Sequence, residues 1–354
     1  MRVYYRLAEV RLSFDFWRNM QLNRSLRILS EDFVFDKLEK RLMSHAANIL
    51  QLSNGDILVV WYAGAYETSP DEVILISRLK KNSTEWEEPM VIIDTLGKAD
   101  GNPVLFEDNG KVYLFYVTIE GGGLPEEIRK SYPDAIKANL TKGGWDTCPI
   151  KYKISTDFGE IFEEERILRK EWGWMIRNKL LRLSNGEVLF PIYDEVNWKA
   201  IFGLSKDLKA WAFTGWVTTP KGCIQPAIVE LEEGHLLCFL RTRDGFIYRT
   251  ESYDYGRTWS EANPTILKNP NSGIDLIKLV DGKLVVVFND SFDKRTPLNI
   301  GISEDNGESW EIWDLETEEG EYSYPSIIQS NDKLIHLVYT YRRETIKHIV
   351  IDIS

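Results

Sequence analysis

The sequence predicts an all-β chain folded as a six-bladed β-propeller with four-stranded antiparallel blades, and two repeating patterns carry that prediction. The first is a hairpin unit: a short apolar strand, a turn of the Asn-Gly or Asp-Gly kind, then a second and more apolar strand. Such dipeptides between apolar runs are a strong hairpin signal, because the tight primed turns need φ > 0 at their central residues. Six copies place their turns at Gly55, Gly110, Gly186, Gly234, Gly282 and Asp332, at intervals of 55, 76, 48, 48 and 50 residues. The second pattern is Ser-x-Asp-x-Gly-x-x-aromatic, found at Ser155–Phe162, Ser252–Trp259 and Ser303–Trp310. Its Asp bonds the turn's own N–H groups, its Gly accepts positive φ, and its aromatic ring is expected to anchor the turn against its own sheet. A four-strand unit repeating near every 50 residues indicates a propeller.

Taken in order, residues 1–27 alternate weakly (Val3, Tyr5, Leu7, Val10, Leu12, Phe14, Phe16) and then lose any period. They are set apart as an N-terminal extension, and 28–354 is read as one propeller domain. Residues 28–36 read as a short strand. The hairpins follow at 45–62, 101–117, 177–193, 225–241, 273–290 and 324–341. After each comes a third strand, and the Asp-Gly box leads to a fourth. Blades one and three carry degenerate boxes, Ser77 to Trp86 and Ser205 to Trp211. The last copy reaches Ser354 after only three strands, so the segment Phe33–Asp36 is expected to supply the fourth and close the ring. The long second interval holds an insertion, roughly 118–149, rich in Gly, Pro and charge, where function is worth seeking.

Composition narrows the partners. The chain is 43% hydrophobic and 28% charged, which suits a globular fold. A net charge of −12 argues against nucleic acid, whose phosphates call for a basic surface. No apolar run approaches membrane-spanning length and the first residues lack a secretory core, so no membrane partner is expected. The odd trio Cys148, Cys223 and Cys238 has no metal spacing, and the four histidines have no H-x-x-x-H pair. A reduced, cytoplasmic setting without metal or cofactor is the expectation.

Strand parity places the site. Both turn types join strands at one rim, so the opposite rim is built from the starts of the first strands and the loops between second and third strands. Function concentrates on loops held by a rigid scaffold. That rim carries Arg177, Lys179, Arg241, Arg243, Arg295, Arg342 and Arg343 on an acidic protein, which suits a carboxylate, sulfate or phosphate ligand. The alternative is that these arginines pair with Asp244, Asp290, Asp293 or Glu344 and only hold loops.

Over residues 41–354 the chain resembles the sialidase superfamily, in particular its bacterial and archaeal Asp-box members. The three boxes carry the resemblance for the fold, with Ser44-His45-Ala46-Ala47, Asn271 to Asp275 and Tyr322-Ser323-Tyr324-Pro325 for the branch. The resemblance implies an arginine triad on a substrate carboxylate, a tyrosine nucleophile assisted by Glu, and an Asp acid/base. Tyr324 or Tyr322 then matches the tyrosine, Asp71 the acid/base, and Arg241, Arg295 and Arg41 the triad. Two positions depart: Arg41-Leu42-Met43 replaces an Arg-Ile-Pro signature, and Gln225 stands where a Glu is expected. The branch also resembles propeller enzymes that cleave uronate-linked sugars through a central histidine, which His45 matches; a His beside Ala-Ala is otherwise a structural residue. An imidazole titrates near neutrality and suits proton transfer. The resemblance thus implies a glycosidase acting beside an acidic sugar of an oligosaccharide or glycoconjugate. His45 serves as acid/base, with Asp71 and Tyr324 as the other catalytic candidates. Arg241 and Arg295 grip the carboxylate, Gln225 and Asn178 orient hydroxyls, and Arg177, Asp275, Tyr322 and Arg342 complete the binding set. A rhamnose–glucuronate type polysaccharide lyase and a non-catalytic glycan-binding propeller are the alternatives.

Overall fold

The structure is a computed structural model that describes residues 26–121 and 144–353. Most of the N-terminal extension and of the 118–149 insertion lies outside the described residues. The chain enters with β1 (Arg27–Phe33) and then forms six sheets in sequence order. Blade 1 is β2 (Met43–Gln51), β3 (Ile57–Gly64), β4 (Val73–Leu79) and β5 (Met90–Ile93). Blade 2 is β6 (Asp100–Asp108), β7 (Lys111–Thr118), β8 (Ile150–Ser155) and β9 (Arg166–Arg169). In blade 3 the inner strand is split into β10 (Trp174–Met175) and β11 (Leu181–Arg182), both pairing with β12 (Val188–Asp194), followed by β13 (Lys199–Ser205) and β14 (Ala212–Phe213). Blade 4 is β15 (Cys223–Glu232), β16 (His235–Thr242), β17 (Phe246–Ser252) and β18 (Asn263–Lys268). Blade 5 is β19 (Asp275–Lys278), β20 (Leu284–Phe288), β21 (Leu298–Ser303) and β22 (Glu311–Glu316). Blade 6 is β23 (Tyr322–Gln329), β24 (Ile335–Tyr341) and β25 (Thr345–Asp352), with β1 as its outer strand.

Burial explains the sequence pattern. Second strands are covered on both faces by neighbouring blades, so β3 and β12 are buried along their whole length and read as continuous apolar runs. Among the described residues no helix is long and apolar enough to cross a membrane.

Ring closure differs from expectation by a few residues. Strand β1 pairs antiparallel with β25 from Arg27↔Asp352 to Phe33↔Lys347, so the closing strand precedes Phe33–Asp36. Past Phe33 the chain stays bonded to β25, through Val34 N to Ile346 O (2.9 Å), while the side chains of Val34 and Phe35 fill the seam between blades 6 and 1. There Phe35 stacks on Trp61 with centroids 4.8 Å apart, in a cluster with Ile49, Val338 and Ile346.

The Asp boxes also differ in one respect. Ser303 Oγ donates to Asp305 Oδ1 (2.8 Å) and accepts from Gly307 N (2.8 Å), while Asp305 Oδ1 accepts from Ser309 N (2.9 Å). Gly307 takes φ +86°. The rings, however, do not rest on their own sheet alone: Trp310 lies over Gly301 of its own blade and also meets Phe239 of the preceding one at 5.9 Å, and Trp259 stacks on Phe202 of the preceding blade at 4.2 Å. The boxes are therefore joints between blades.

The active rim is shaped by one recurring device. On β2, β6, β15 and β23 the register slips between His45/Asn48, Gly101/Val104, Ile224/Ala227 and Ser323/Ser326, so two residues oppose one. The first residue of each bulge has positive φ: Ala46 (+55°), Asn102 (+47°), Gln225 (+52°) and Tyr324 (+53°). A bulge re-aims a side chain, and positive φ in such residues is strained backbone that the fold must hold in place.

Between blades 1 and 2, Glu72 is fully buried. Its Oε2 accepts from Thr68 N (2.9 Å), Oε1 has no partner among the described residues, and its own carbonyl accepts from Asp100 N (3.0 Å). Burial pushes its carboxyl up to about 9, with Glu67, Asp100 and Asp71 adding to the rise against the Thr68 bond.

Two outcomes follow from this packing. Phe35→Ala empties the seam that closes the ring and should lower unfolding stability by about 3–5 kcal/mol, read by urea denaturation. Glu72 binds a proton in the folded but not the unfolded chain from the ordinary glutamate value up to about 9, so its contribution makes stability fall as pH rises across that window. Glu72→Gln should therefore be more stable than the parent at pH ~8, on the order of 3 kcal/mol, with the gap closing towards pH ~4.5, as measured by melts at both pH values.

Candidate functional site

At the rim opposite the Asp boxes, a cavity of about 170 Å³ opens on the propeller axis. It is smaller than the ~300–1,000 Å³ usual for drug-sized ligands and suits a single ring. Bulge residues supply Asn102, Gln225 and Tyr324 to its wall. The loops after the second strands supply Glu67, Glu195, Arg295 and Arg343, and the end of β16 supplies Arg241. Trp145, on a short 3-10 turn, and Tyr62, Tyr193, Met175 and Ile224 complete the described lining. A larger groove of about 540 Å³ lies beside the degenerate box of blade 3, but its Glu187 and Arg257 neutralise each other at 2.6 Å.

Tyr324 is the centre of the polar network. Arg241 Nη1 donates to the Tyr324 hydroxyl (2.8 Å) and to Gln225 Oε1 (3.0 Å), while its Nε donates to Asn271 Oδ1 (2.8 Å). Gly273 makes room for this approach: a Cβ there would lie 3.3 Å from Gln225 Oε1 and 3.4 Å from the Tyr324 ring. Burial alone would raise the tyrosine, yet the charges of Arg241 and Arg295 outweigh it and hold the phenol below its ordinary value.

The cations differ in how far they are neutralised. Arg343 donates to both Glu321 oxygens (2.9 Å each) and to Glu67 Oε2 (2.6 Å), and Glu67 also accepts from Trp145 Nε1 (3.2 Å). Arg295 shares Glu321 through Nη1 alone (2.7 Å). Among the described residues Arg241 makes no ion pair, so it is the best placed to grip an incoming carboxylate. Glu195 faces this group from blade 3, half-buried in the loop after β12. Burial raises its carboxyl to about 7, against Arg241 and Arg243 and with help from Asp146 and Asp194. A carboxyl poised near 7 can give and take a proton at neutral pH.

Of the residues singled out from sequence, Gln225, Arg241, Arg295 and Tyr324 line the cavity. His45 does not. It is fully buried beneath Tyr324 (ring centroids 4.3 Å), with Nδ1 bonded to Thr340 Oγ1 at 3.0 Å. Burial, then Arg343, Arg295, Arg177 and Arg241, push its imidazole well below the usual value. It is therefore a buried residue under Tyr324 rather than a group on the cavity wall. Asp71 is exposed and holds its own loop, accepting from Ala65 N at 3.2 and 3.3 Å. Tyr322 is buried against Tyr341, and exposed Arg342 pairs with Glu318 (2.8 Å) away from the cavity. Asn178 and Asp275 lie deeper: Asn178 donates to Ile274 O (2.8 Å), while Asp275 accepts from Ile327 N (2.9 Å) and pairs with Lys179. Together they tie blades 3, 5 and 6 across the axis. Arg177 is likewise buried below the cavity, and Arg41 is off its wall.

Sequence reasoning placed Arg343 on this rim without assigning it a site role, and gave none to Glu67, Glu195, Tyr193 or Trp145. A usable signal was present in Asn102-Pro103, Gln225-Pro226 and Tyr324-Pro325, which repeat at one position and mark the bulges.

The BNR repeat-like domain family matches the chain over residues 55–337. Among solved structures, the chain is similar to a protein of unknown function from Dyadobacter fermentans at 15% identity, covering 93% of this chain and 100% of that one, with TM-score 0.75. It is similar to the NanB sialidase of Streptococcus pneumoniae at 15% identity, covering 91% and 70%, with TM-score 0.73. The intramolecular trans-sialidase of Ruminococcus gnavus is 16% identical, with 90% and 96% covered and TM-score 0.71. No curated protein matches in sequence. At these identities the likeness is one of fold. The repeats, the six-bladed ring and the match over most of its length make this chain a member of the BNR repeat-like domain family of sialidase-like propellers.

Proposed function

We propose that the chain is a sialidase-like glycosidase that cleaves the terminal bond of an acidic sugar, sialic or uronic, on an oligosaccharide or glycoconjugate. One observation carries this reading: the Tyr324 hydroxyl sits 2.8 Å from Arg241 on the wall of a one-ring cavity that also holds Arg295 and a carboxyl poised near 7. Two of the similar structures hold anionic ligands, an ethanesulfonate derivative in the NanB sialidase and oseltamivir carboxylate in the Ruminococcus gnavus protein.

Arg241 and Arg295 hold the sugar carboxylate beside the anomeric carbon. An anionic nucleophile beside that carboxylate is repelled unless its own charge is offset, and Arg241 at the phenol oxygen offsets it for Tyr324. Tyr324 Oη, its proton already lost to solvent, attacks the anomeric carbon. The bond to the leaving oxygen breaks, and protonated Glu195 gives that oxygen its proton. In a ring of six, blades 3 and 6 stand across from one another, so Glu195 and Tyr324 approach the sugar from different sides. Water then attacks the anomeric carbon, ionised Glu195 takes the water's proton, and Tyr324 departs as phenolate.

A second reading is supported by Gln225, because no carboxylate bonds the Tyr324 hydroxyl among the described residues. In a lyase, Tyr324 would remove the proton α to an arginine-neutralised uronate carboxylate, and an unsaturated sugar would leave. A panel of sialosides, glucuronate-capped glycans and glycans whose glucuronate bears a rhamnose at O4 separates the two by product mass. Hydrolysis adds one water, elimination adds none, and no product from any acidic glycan argues for a binding propeller.

Glu195 must be protonated to act as the acid, so kcat should fall as pH rises through about 7. Glu195→Gln should lower kcat by about 10²–10⁴ with KM little changed, and its pH profile should lose that alkaline limb.

A further inference from the structure

Arg177 is the buried group that the proposed chemistry leaves unexplained. It sits where the inner strand of blade 3 is broken, between β10 and β11, and is 2% exposed. Its Nη2 donates to the carbonyls of Tyr324 (2.7 Å) and Pro325 (3.1 Å), pinning the strained bulge from across the axis. Its guanidinium carbon lies 5.3 Å from the Tyr324 ring centroid. Among the described residues no carboxylate pairs with it, and its Nε has no partner. Asp275, whose charge it feels most, is already engaged by Lys179 and by the Ile327 and Leu276 N–H groups. Arg177 does not line the cavity, so a substrate carboxylate does not reach it. A buried cation without a counter-charge is costly, and after Asp275 the charge it feels most is that of the ionised phenol.

The phenol oxygen shows the complementary arrangement. It receives the charged Arg241 donor and, among the described residues, has no acceptor for its own proton. Gln225, the neighbour that replaces a carboxylate, is itself receiving Arg241 through Oε1. The other groups around the ring are Arg295 from blade 5 (5.4 Å from the centroid), neutral His45 and buried Tyr62 from blade 1, Tyr193 from blade 3, and Glu67, which is held by Arg343. Three arginines, Arg177, Arg241 and Arg295, thus stand around the ring, and the named carboxylate Glu67 is already paired.

We propose that Tyr324 is held as a phenolate by Arg177 beneath its ring and Arg241 at its oxygen, with Arg177 acting as a positioning residue and buried counter-charge in place of a neighbouring base. This rests on the reading of Tyr324 as nucleophile, and it explains how a site with Gln225 dispenses with a carboxylate. The bond bookkeeping is simple: the phenol proton leaves to solvent before substrate binds, and no partner base is consumed.

Ultraviolet difference titration of the ligand-free full chain tests it, with Y324F subtracted to isolate one phenol. Tyr324 should ionise below pH ~7, about three units or more under the free tyrosine value of ~10. R177Q keeps an amide donor for the two carbonyls but no charge, and should move the titration up by about one unit or more. R177K keeps the charge and should stay close to the parent. An R177Q titration that coincides with the parent overturns the proposal. Should R177Q not fold, the parent decides alone: ionisation above ~7 overturns the proposal and ionisation below ~7 supports it. No substrate is involved, so a low titration in a chain that cleaves no glycan would retain the counter-charge and discard the glycosidase reading.

Discussion

Four of the six innermost strands carry one extra residue at the same height, and the chemistry of the rim depends on it. A regular strand start would alternate its side chains between the two faces of its blade, and both faces are already filled by neighbouring sheets. The bulge turns one residue out of that alternation and onto the axis. Asn102, Gln225 and Tyr324 reach the cavity this way, while Ala46 leaves space at the equivalent point of blade 1. The strain is held by partners across the ring, most directly by the bonds from Arg177 to the Tyr324 and Pro325 carbonyls. Closure of the ring at Phe35 and Trp61 is a precondition, because those bonds join blades far apart in sequence.

Charge is graded around the cavity. Glu321 and Glu67 tie Arg343 and half of Arg295 into a chain along the rim of blades 5, 6 and 1. Arg241 and Arg177 stand outside that chain, one above the phenol and one below it. The result is a locally positive pocket in a protein of net charge −12. An acidic surface with a cationic centre favours a small anionic ligand over a polyanion, since approach of extended negative charge is opposed everywhere else.

The fold was legible because its signals are local. An Asn-Gly turn or a Ser-x-Asp-x-Gly box declares itself within eight residues, and counting copies gives the number of blades. Strand parity also pointed to the rim at which the axial cavity opens. Depth along the axis was not legible. His45, Asn178 and Asp275 share the strand starts with Gln225 and Tyr324, and only packing shows that the first three lie below the cavity floor. Glu195 was hidden for a different reason: a glutamate in a polar loop looks like a solvated charge, and its shift to about 7 comes from burial that no local pattern announces. The packing of the box tryptophans was half legible: Trp310 does lie on its own sheet, but the contacts of Trp259 and Trp310 with the preceding blade are a property of the ring as a whole.

The central claim is that Tyr324 forms a bond to the sugar. An acidic glycosyl fluoride bearing a second fluorine beside the anomeric carbon slows the step that releases the enzyme, so a covalent adduct accumulates and can be mapped by peptide mass spectrometry. The account predicts one sugar per chain, on the peptide and side chain of Tyr324, and no adduct in Tyr324→Phe. An adduct on Glu195 or Glu67, or cleavage of acidic glycans undiminished by loss of the Tyr324 hydroxyl, would contradict it.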